Sequence, residues 1–523
     1  MRLPIACLAL ALPLAAQGAP LPCERLLTLT LPHTTITTAE SHPAGSFTPP
    51  AGKPIAGVPA FCRVAGSIAP STDSDIRFEV WLPAANWNGK FQGIGNGGYA
   101  GTISFGGLAE AVHNGYATAS TDTGHQDPGN DVTAAWALHH PEKIIDFGYR
   151  AIHETALAAK PIIAAFYGNA PTKSYFSSCS NGGRQALMEA QRFPADYDGI
   201  VAGAPANYWT RLLSLAASNA KATLAAAASY IPAAKLPAIE AAALAQCDAK
   251  DGVHDGVIEN PTACRFDPSV LLCQARETAS CLTAPQLTAV KAIYDGLRDG
   301  HGKLLFPGYS PGGEAEPGGW APWITGDAPQ KSLLFAFGTQ FFKNMVYSDP
   351  AWQFRAFNPD ADVPAAEQRM ARYLNATDAD LSAFEKRGGK LILYHGWADA
   401  AIPALNAINY YDSVVAAVGA PRAGNFVRLY MVPGMEHCGG GDGPADFGQG
   451  RTSDADPLHS VNAAIEAWVE HAAAPNHLIA TKYRNDSGTK AVVRTRPLCA
   501  WPEVAKYSGS GSTDDAANFT CGK

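Results

Sequence analysis

Apolar residues recur at every second position over 75–83, where Ile76, Phe78, Val80 and Leu82 alternate with polar or exposed partners, and this period predicts an amphipathic strand. Shorter apolar runs at 91–94, 116–121, around Tyr175-Phe176 and at 197–202 predict four more strands. Over 142–166, Ile145, Tyr149, Ile152 and Ala156 fall at helical spacing, and a second helical pattern runs from the glycines after Ser180 to near Phe193. Strands alternating with helices imply an α/β fold, a mostly parallel sheet covered on both faces.

The alternation stops after Ala204-Pro205-Ala206 and resumes at Lys390-Leu391-Ile392-Leu393-Tyr394, followed by another strand over 426–432. Ala-rich helix, cysteine loops and Pro/Gly-rich segments fill the interval. The simplest organisation is a leader over 1–18, a first part of the α/β domain over 19–206, an inserted lid over 207–380 and a second part over 381–523. Ten aromatic residues fall between Trp320 and Phe357, against a chain average of 9%. Both a small domain's own core and a pocket wall for a flat ligand are consistent with that density.

A net charge of -8 and the absence of any basic stripe argue against nucleic acid as a partner. The leader carries Arg2, an apolar core over 5–16 and small residues at Ala16, Gly18 and Ala19, the pattern of a secretory signal. That core is too short to span a bilayer, and the Ala-rich stretch over 212–228 is broken by polar residues, so no membrane association is expected. Secreted or periplasmic export follows. Once Cys7 leaves with the leader, ten of the eleven cysteines remain, an even number suited to an oxidising compartment. Cys247 with Cys264, Cys273 with Cys281 and Cys499 with Cys521 are close in sequence and easily closed as local loops.

The chemistry centres on Ser178-Cys179-Ser180-Asn181-Gly182-Gly183, a predicted strand-to-helix turn flanked by small residues. Such a turn projects a serine hydroxyl clear of the sheet, although Ser178 stands where the usual Gly-x-Ser-x-Gly pattern has glycine. Two later strands end in His395-Gly396-Trp397-Ala398-Asp399 and in Pro433-Gly434-Met435-Glu436-His437-Cys438. Ser180, Asp399 and His437 therefore follow one another in the order of the α/β-hydrolase arrangement, each at a strand's carboxyl end. In that reading His437 is the general base for Ser180, and Asp399 orients the imidazole. Backbone N–H groups of Asn181 and of Gly98, in the glycine cluster over 95–101, would hold an oxyanion. Asp122 and Asp412 also flank apolar runs and compete with Asp399 for the acid's place, while His125, His153 and His395 fit structural or pocket roles.

With these residues in view, the chain resembles the tannase and feruloyl esterase family, which includes the hydrolase of mono(2-hydroxyethyl) terephthalate. The resemblance rests on Gly-Asn-Gly-Gly-Tyr over 95–99, Asp122-Thr123-Gly124-His125, Cys179-Ser180-Asn181-Gly182-Gly183, Gly396-Trp397-Ala398-Asp399 and His437-Cys438. It implies bridges between Cys179 and Cys438 and between Cys23 and Cys62, beside the three local pairs. It also implies a structural calcium ion in the lid, with Asp248, Asp251 and Asp255 as side-chain ligands and Val253 and Val257 as backbone ones. By composition alone, that loop is equally consistent with an acidic surface turn. The expected activity is that of a serine esterase acting on a small ester of an aromatic acid through an acyl-enzyme. Ala401 and Ile402 would line the pocket floor, with Phe341 and Phe342 among the lid aromatics over the ring. Galloyl, feruloyl and terephthaloyl groups all remain open, with hydroxycinnamates preferred on family membership. A non-catalytic aromatic-ligand binder on the same fold is the competing reading, and a calcium-dependent lyase is a remoter one.

Overall fold

The computed structural model describes residues 19–50, 52–127, 132–450, 455–486 and 490–523; the expected leader over 1–18 lies outside them. Nine strands form the central sheet: β1 (Thr34–His42), β2 (Phe61–Ile68), β3 (Ile76–Pro83), β4 (Lys90–Gly93), β5 (Ala117–Thr121), β6 (Lys173–Cys179), β7 (Gly199–Gly203), β8 (Lys390–Gly396) and β9 (Val427–Val432). Their spatial order is β1-β2-β3-β5-β4-β6-β7-β8-β9. The five pairings from β5 to β9 are parallel. The three at the other edge are antiparallel, so the sheet is mixed, with a parallel majority.

Alternation along the inner strands sorts side chains to two faces. Leu391 and Leu393 of β8 and Leu429 of β9 pack with helices α1 (Ala151–Tyr167), α2 (Asn181–Arg192) and α7 (Leu405–Val418). Ile392, Tyr394, Tyr430 and Val432 face the other way, toward α8 (Val461–His471). Strand β3 departs from its expected one-sided burial. Glu79 and Trp81, on its supposedly open face, are 2% and 0% exposed. Phe47 and Phe61 cover that face, and Glu79 is satisfied there by the Arg63 guanidinium and by Trp81 Nε1 at 2.9 Å. The helical pattern over 142–166 is also interrupted: a short helix, Pro141–Ile145, passes through a wide turn at Asp146–Arg150 before α1 begins.

After β7 the chain leaves the sheet and builds a mainly helical layer that includes α3 (Trp209–Thr223), α4 (Leu236–Cys247), α5 (Leu333–Gln340) and α6 (Pro359–Leu374). The two ends of this segment meet, because Asn207 O accepts from Ala376 N at 2.8 Å and Asn375 Oδ1 from Thr210 N at 3.0 Å. Its apolar core runs continuously into Tyr99, Phe147 and the 400–402 loop at the carboxyl edge of the sheet. A cleft at that junction is walled on one side by the sheet's loops and on the other by the inserted segment. Among the described residues, no helix is long and apolar enough to cross a membrane.

Candidate active site

Strand β6 delivers Ser180 into a turn that most residues avoid: φ is 66° and ψ is -127°. A non-glycine residue with positive φ carries a steric cost that its surroundings must over-determine. Here Ser180 N donates to Gly203 O at 3.0 Å, and Ser180 O accepts from Ala206 N at 3.1 Å. The glycines that follow are required by close approach. A Cβ on Gly182 would lie 1.9 Å from Ser178 Oγ, and one on Gly183 would lie 2.3 Å from Gly203 O.

The end of β8 places Asp399 beneath the cleft, 2% exposed. Its Oδ1 accepts from Ala401 N at 2.8 Å and Ile402 N at 2.9 Å, while Oδ2 accepts from His437 Nδ1 at 2.9 Å. His437 Nε2 in turn accepts from Ser180 Oγ at 2.9 Å. The three side chains thus form one hydrogen-bonded line from a buried carboxylate to a hydroxyl at the cleft. Burial alone would raise the Asp399 carboxyl, but His437 and His395 outweigh it through charge and hydrogen bonding and hold it well below the usual carboxylate range. Asp399 is therefore ionised at neutral pH. Asp122 and Asp412 take no part: Asp122 turns to the N–H groups of Arg77 and Gly124, and Asp412 lies on α7.

His395 is bound into this arrangement. It is fully buried, and its Nε2 lies 3.0 Å from Ile402 O and 3.1 Å from Asp399 Oδ2, so one N–H serves both acceptors. His125 is buried against Trp136, with ring centroids 3.8 Å apart, and burial pushes it down to about 3, which keeps it neutral. His153 pairs with Asp196 at 2.6 Å. Cys179 and Cys438, the residues before Ser180 and after His437, are joined with Cα atoms 6.0 Å apart. The other bridges are Cys23–Cys62, Cys247–Cys264, Cys273–Cys281 and Cys499–Cys521.

The cleft, open to solvent at its mouth, includes Gly98, Ser180, Asn181, Ala401, Ile402 and His437 in its lining. Gly98 has a φ of 50°, and the N–H of Asn181 stands in the first turn of α2, where no intrahelical acceptor exists. Phe341 and Phe342 do not line it, which corrects the sequence expectation. Both are fully buried in the inserted segment's own core, Phe342 stacked on Trp352 at 4.9 Å and edge-on to Phe357 at 5.4 Å. The aromatic wall consists instead of Trp209, Trp323 and Phe337, with Leu212, Leu213, Leu333 and Leu334 beside them. Trp323 also meets the His437 ring edge-on at 5.0 Å. Helical spacing joins Trp209 to Leu212 and Leu213 on one side of α3. That pattern was present in the sequence, but only docking against Ser180 gives it a role.

In the acidic loop, Asp248 is 1% exposed and accepts from Gly256 N at 3.0 Å and His254 Nδ1 at 2.6 Å. Asp251 accepts from Val253 N at 2.9 Å, and Asp255 pairs with Arg494 and Arg496 at 3.1 and 2.6 Å. Carboxylates and peptide carbonyls are the hard donors that calcium takes, so the donor chemistry fits. The side chains are nonetheless turned to different partners, and Arg494 and Arg496 hold Asp255 from the second strand of the hairpin His477–Tyr483 with Val492–Cys499.

Comparison with known proteins shows the family and the fold. The profile described as "Tannase and feruloyl esterase" matches residues 62–522. An uncharacterised esterase of Xanthomonas campestris is 45% identical over 97% of this chain and 92% of its own length. A probable feruloyl esterase B-2 of Aspergillus terreus is 34% identical over 88% and 86%. The mono(2-hydroxyethyl) terephthalate hydrolase of Piscinibacter sakaiensis is likewise 34% identical, over 90% and 86%. Among solved structures, feruloyl esterase B from Aspergillus oryzae superposes with a TM-score of 0.87 at 30% identity, covering 96% of this chain and 99% of that one. Tannin acyl hydrolase from Aspergillus niger gives 0.74 at 25%, covering 94% and 92%. The fold is thus that of the α/β-hydrolase-type esterases, and the chain belongs to the tannase and feruloyl esterase family of ester hydrolases.

Proposed function

We propose that this protein is a secreted serine carboxylic-ester hydrolase that cleaves small esters of aromatic acids through an acyl-enzyme. The observation that carries the reading is the line Ser180–His437–Asp399, with both hydrogen bonds at 2.9 Å, opening into a cleft walled by Trp209, Trp323 and Phe337. His437 takes the Ser180 proton as the hydroxyl attacks the ester carbonyl, and returns it to the departing alcohol. Asp399, ionised and fixed by two backbone N–H groups, keeps Nδ1 of that ring protonated so that Nε2 remains free to accept. The oxyanion would be met by the N–H groups of Asn181 and Gly98. Water then repeats the sequence on the acyl-enzyme.

A flat acyl group suits the aromatic walls, and relatives bear the names feruloyl esterase and tannin acyl hydrolase. Hydroxycinnamoyl esters are the preferred class. Five disulfides fit export to the periplasm or beyond. The test is direct: a fluorophosphonate probe should label wild type at Ser180, and methyl cinnamates should have a higher specificity constant than a straight-chain acyl methyl ester. Labelling elsewhere, or preference for the aliphatic ester, would overturn the assignment. A non-catalytic binder on this fold would take no label at all.

The loop with Asp248, Asp251, Asp255 and the carbonyls of Val253 and Val257 would hold calcium as a structural ion. The carboxylate of Asp255 would then share its charge between the ion and Arg494 and Arg496. Binding to the folded state alone raises stability by mass action. Chelation should therefore lower Tm with little change in turnover by the protein that stays folded; an unchanged Tm would count against calcium.

A further inference from the structure

We infer that the acyl side of the cleft admits only uncharged acyl groups, so that monoesters of aromatic dicarboxylic acids are excluded while the corresponding neutral esters are accepted. This rests on the esterase reading above and narrows its substrate class.

The wall of the cleft is almost wholly apolar. Apart from Ser180, Asn181 and His437 at the reacting end, the lining consists of Gly98, Val132, Ala206, Ala401, Ile402, four leucines, Phe337 and two tryptophans. No lysine, arginine or acid is among them. Pro128-Gly129-Asn130-Asp131, which precedes Val132 in the chain, contains no basic residue either. An acyl ring carrying a second carboxylate would therefore bury an anion against hydrocarbon, which is costly without a counter-ion.

The nearest buried cation cannot serve. Arg184 is fully buried behind the wall, over the rings of Phe147 and Trp209 at 4.7 and 5.1 Å. Its Nε donates to Asn181 Oδ1 at 2.8 Å, Nη1 to Gly148 O at 2.7 Å and Nη2 to Phe147 O at 3.0 Å. The fork is committed to these acceptors and cannot be turned to an occupant.

The unpartnered polar atoms within the wall are neutral and buried. A guanidinium only donates, so the amide of Asn181 must direct Oδ1 to Arg184, and this leaves Nδ2 buried without a partner. Trp209 Nε1 is likewise buried and unpartnered. Neither is charged, so neither can neutralise a carboxylate. One relative acts on mono(2-hydroxyethyl) terephthalate, and its acyl group by chemical necessity carries such a carboxylate. Among the described residues, the cleft lining holds no cation to pair with it.

The experiment compares dimethyl terephthalate, monomethyl terephthalate and methyl benzoate at pH 7.5, each specificity constant divided by the ester's alkaline hydrolysis rate. The neutral diester should exceed the monoacid by roughly 100-fold or more, the penalty of an unpaired buried charge expressed as a ratio. A ratio within about fivefold would overturn the inference. So would acceptance of the monoacid that disappears in Lys331→Ala, since that exposed side chain would then be the counter-ion. Binding to Ser180→Ala protein separates this rule from the catalytic reading. Terephthalamide should bind at least 100-fold more tightly than 4-carbamoylbenzoate even if turnover proves absent, and equal binding would overturn the charge rule whatever the turnover.

Discussion

Replacing Asp399 by Asn changes one atom and tests the whole arrangement. The carboxylate has four acceptor duties: Oδ1 takes N–H groups from Ala401 and Ile402, and Oδ2 takes His437 Nδ1–H and shares His395 Nε2–H. An amide has one acceptor oxygen and two donor hydrogens, so it cannot meet all four. If its oxygen stays with the two backbone groups, the NH₂ faces His437 and drives the ring to the tautomer whose Nε2 is protonated, which cannot accept from Ser180. The same NH₂ then points at the His395 N–H, donor against donor. If the amide flips, two buried backbone donors lose their acceptor, at about 1–3 kcal/mol each. The first orientation costs less, so the protein should fold with the wrong tautomer, and kcat should fall on the order of 10⁴-fold with little change in KM. Stopped-assay kinetics on protein verified by circular dichroism would measure it. Retention of more than about a tenth of wild-type kcat would mean that Asp399 does not set the imidazole, and the assignment would pass to another acid.

Three further outcomes follow from the structure. Phe342→Ala should cost about 3–5 kcal/mol of stability without altering the preference for aromatic over aliphatic acyl esters, whereas Phe337→Ala should narrow that preference; thermal melts and specificity constants separate the two. The Cys179–Cys438 bridge spans a sequence separation of 259, for which the chain-entropy model gives about 5.5 kcal/mol. Its paired serine variant should lose stability and, because the bridge flanks both Ser180 and His437, turnover as well, so full kcat in the folded variant would show that the bridge does not position them. Burial raises Asp122 to about 7, above its unfolded value near 3.8. Its contribution to stability is thus fully present below about 4 and lost as pH rises through 7. Asp122→Asn removes that loss, so its Tm should gain on wild type as pH goes from 5 to 8; a constant difference across that range would disprove the burial argument.

Period and strand-end chemistry determine a good deal before any folding is considered. The alternation of short apolar runs with helical spacing implies the α/β class, because strands and helices can bury an apolar face only by stacking. Ser180, Asp399 and His437 are legible for the same reason: each directly follows a predicted strand, and neighbouring parallel strands bring their carboxyl ends to one edge. Local pattern could not assign the second face of β3, where Glu79 and Trp81 look open until Phe47 and Phe61 cover them. Nor could it divide the aromatics of the inserted segment. Phe341, Phe342 and Phe337 lie within six positions, yet the first two fill a core and the third meets the cleft. Which side of a buried helical segment faces a cavity depends on how that segment docks, and docking sums contacts between residues more than a hundred positions apart. The buried company of Asp399 is of this kind too. Asp399, His395 and the 401–402 backbone are near in sequence and bond locally, but the bond to His437 exists only because β8 and β9 lie side by side, with His437 arriving from the second strand.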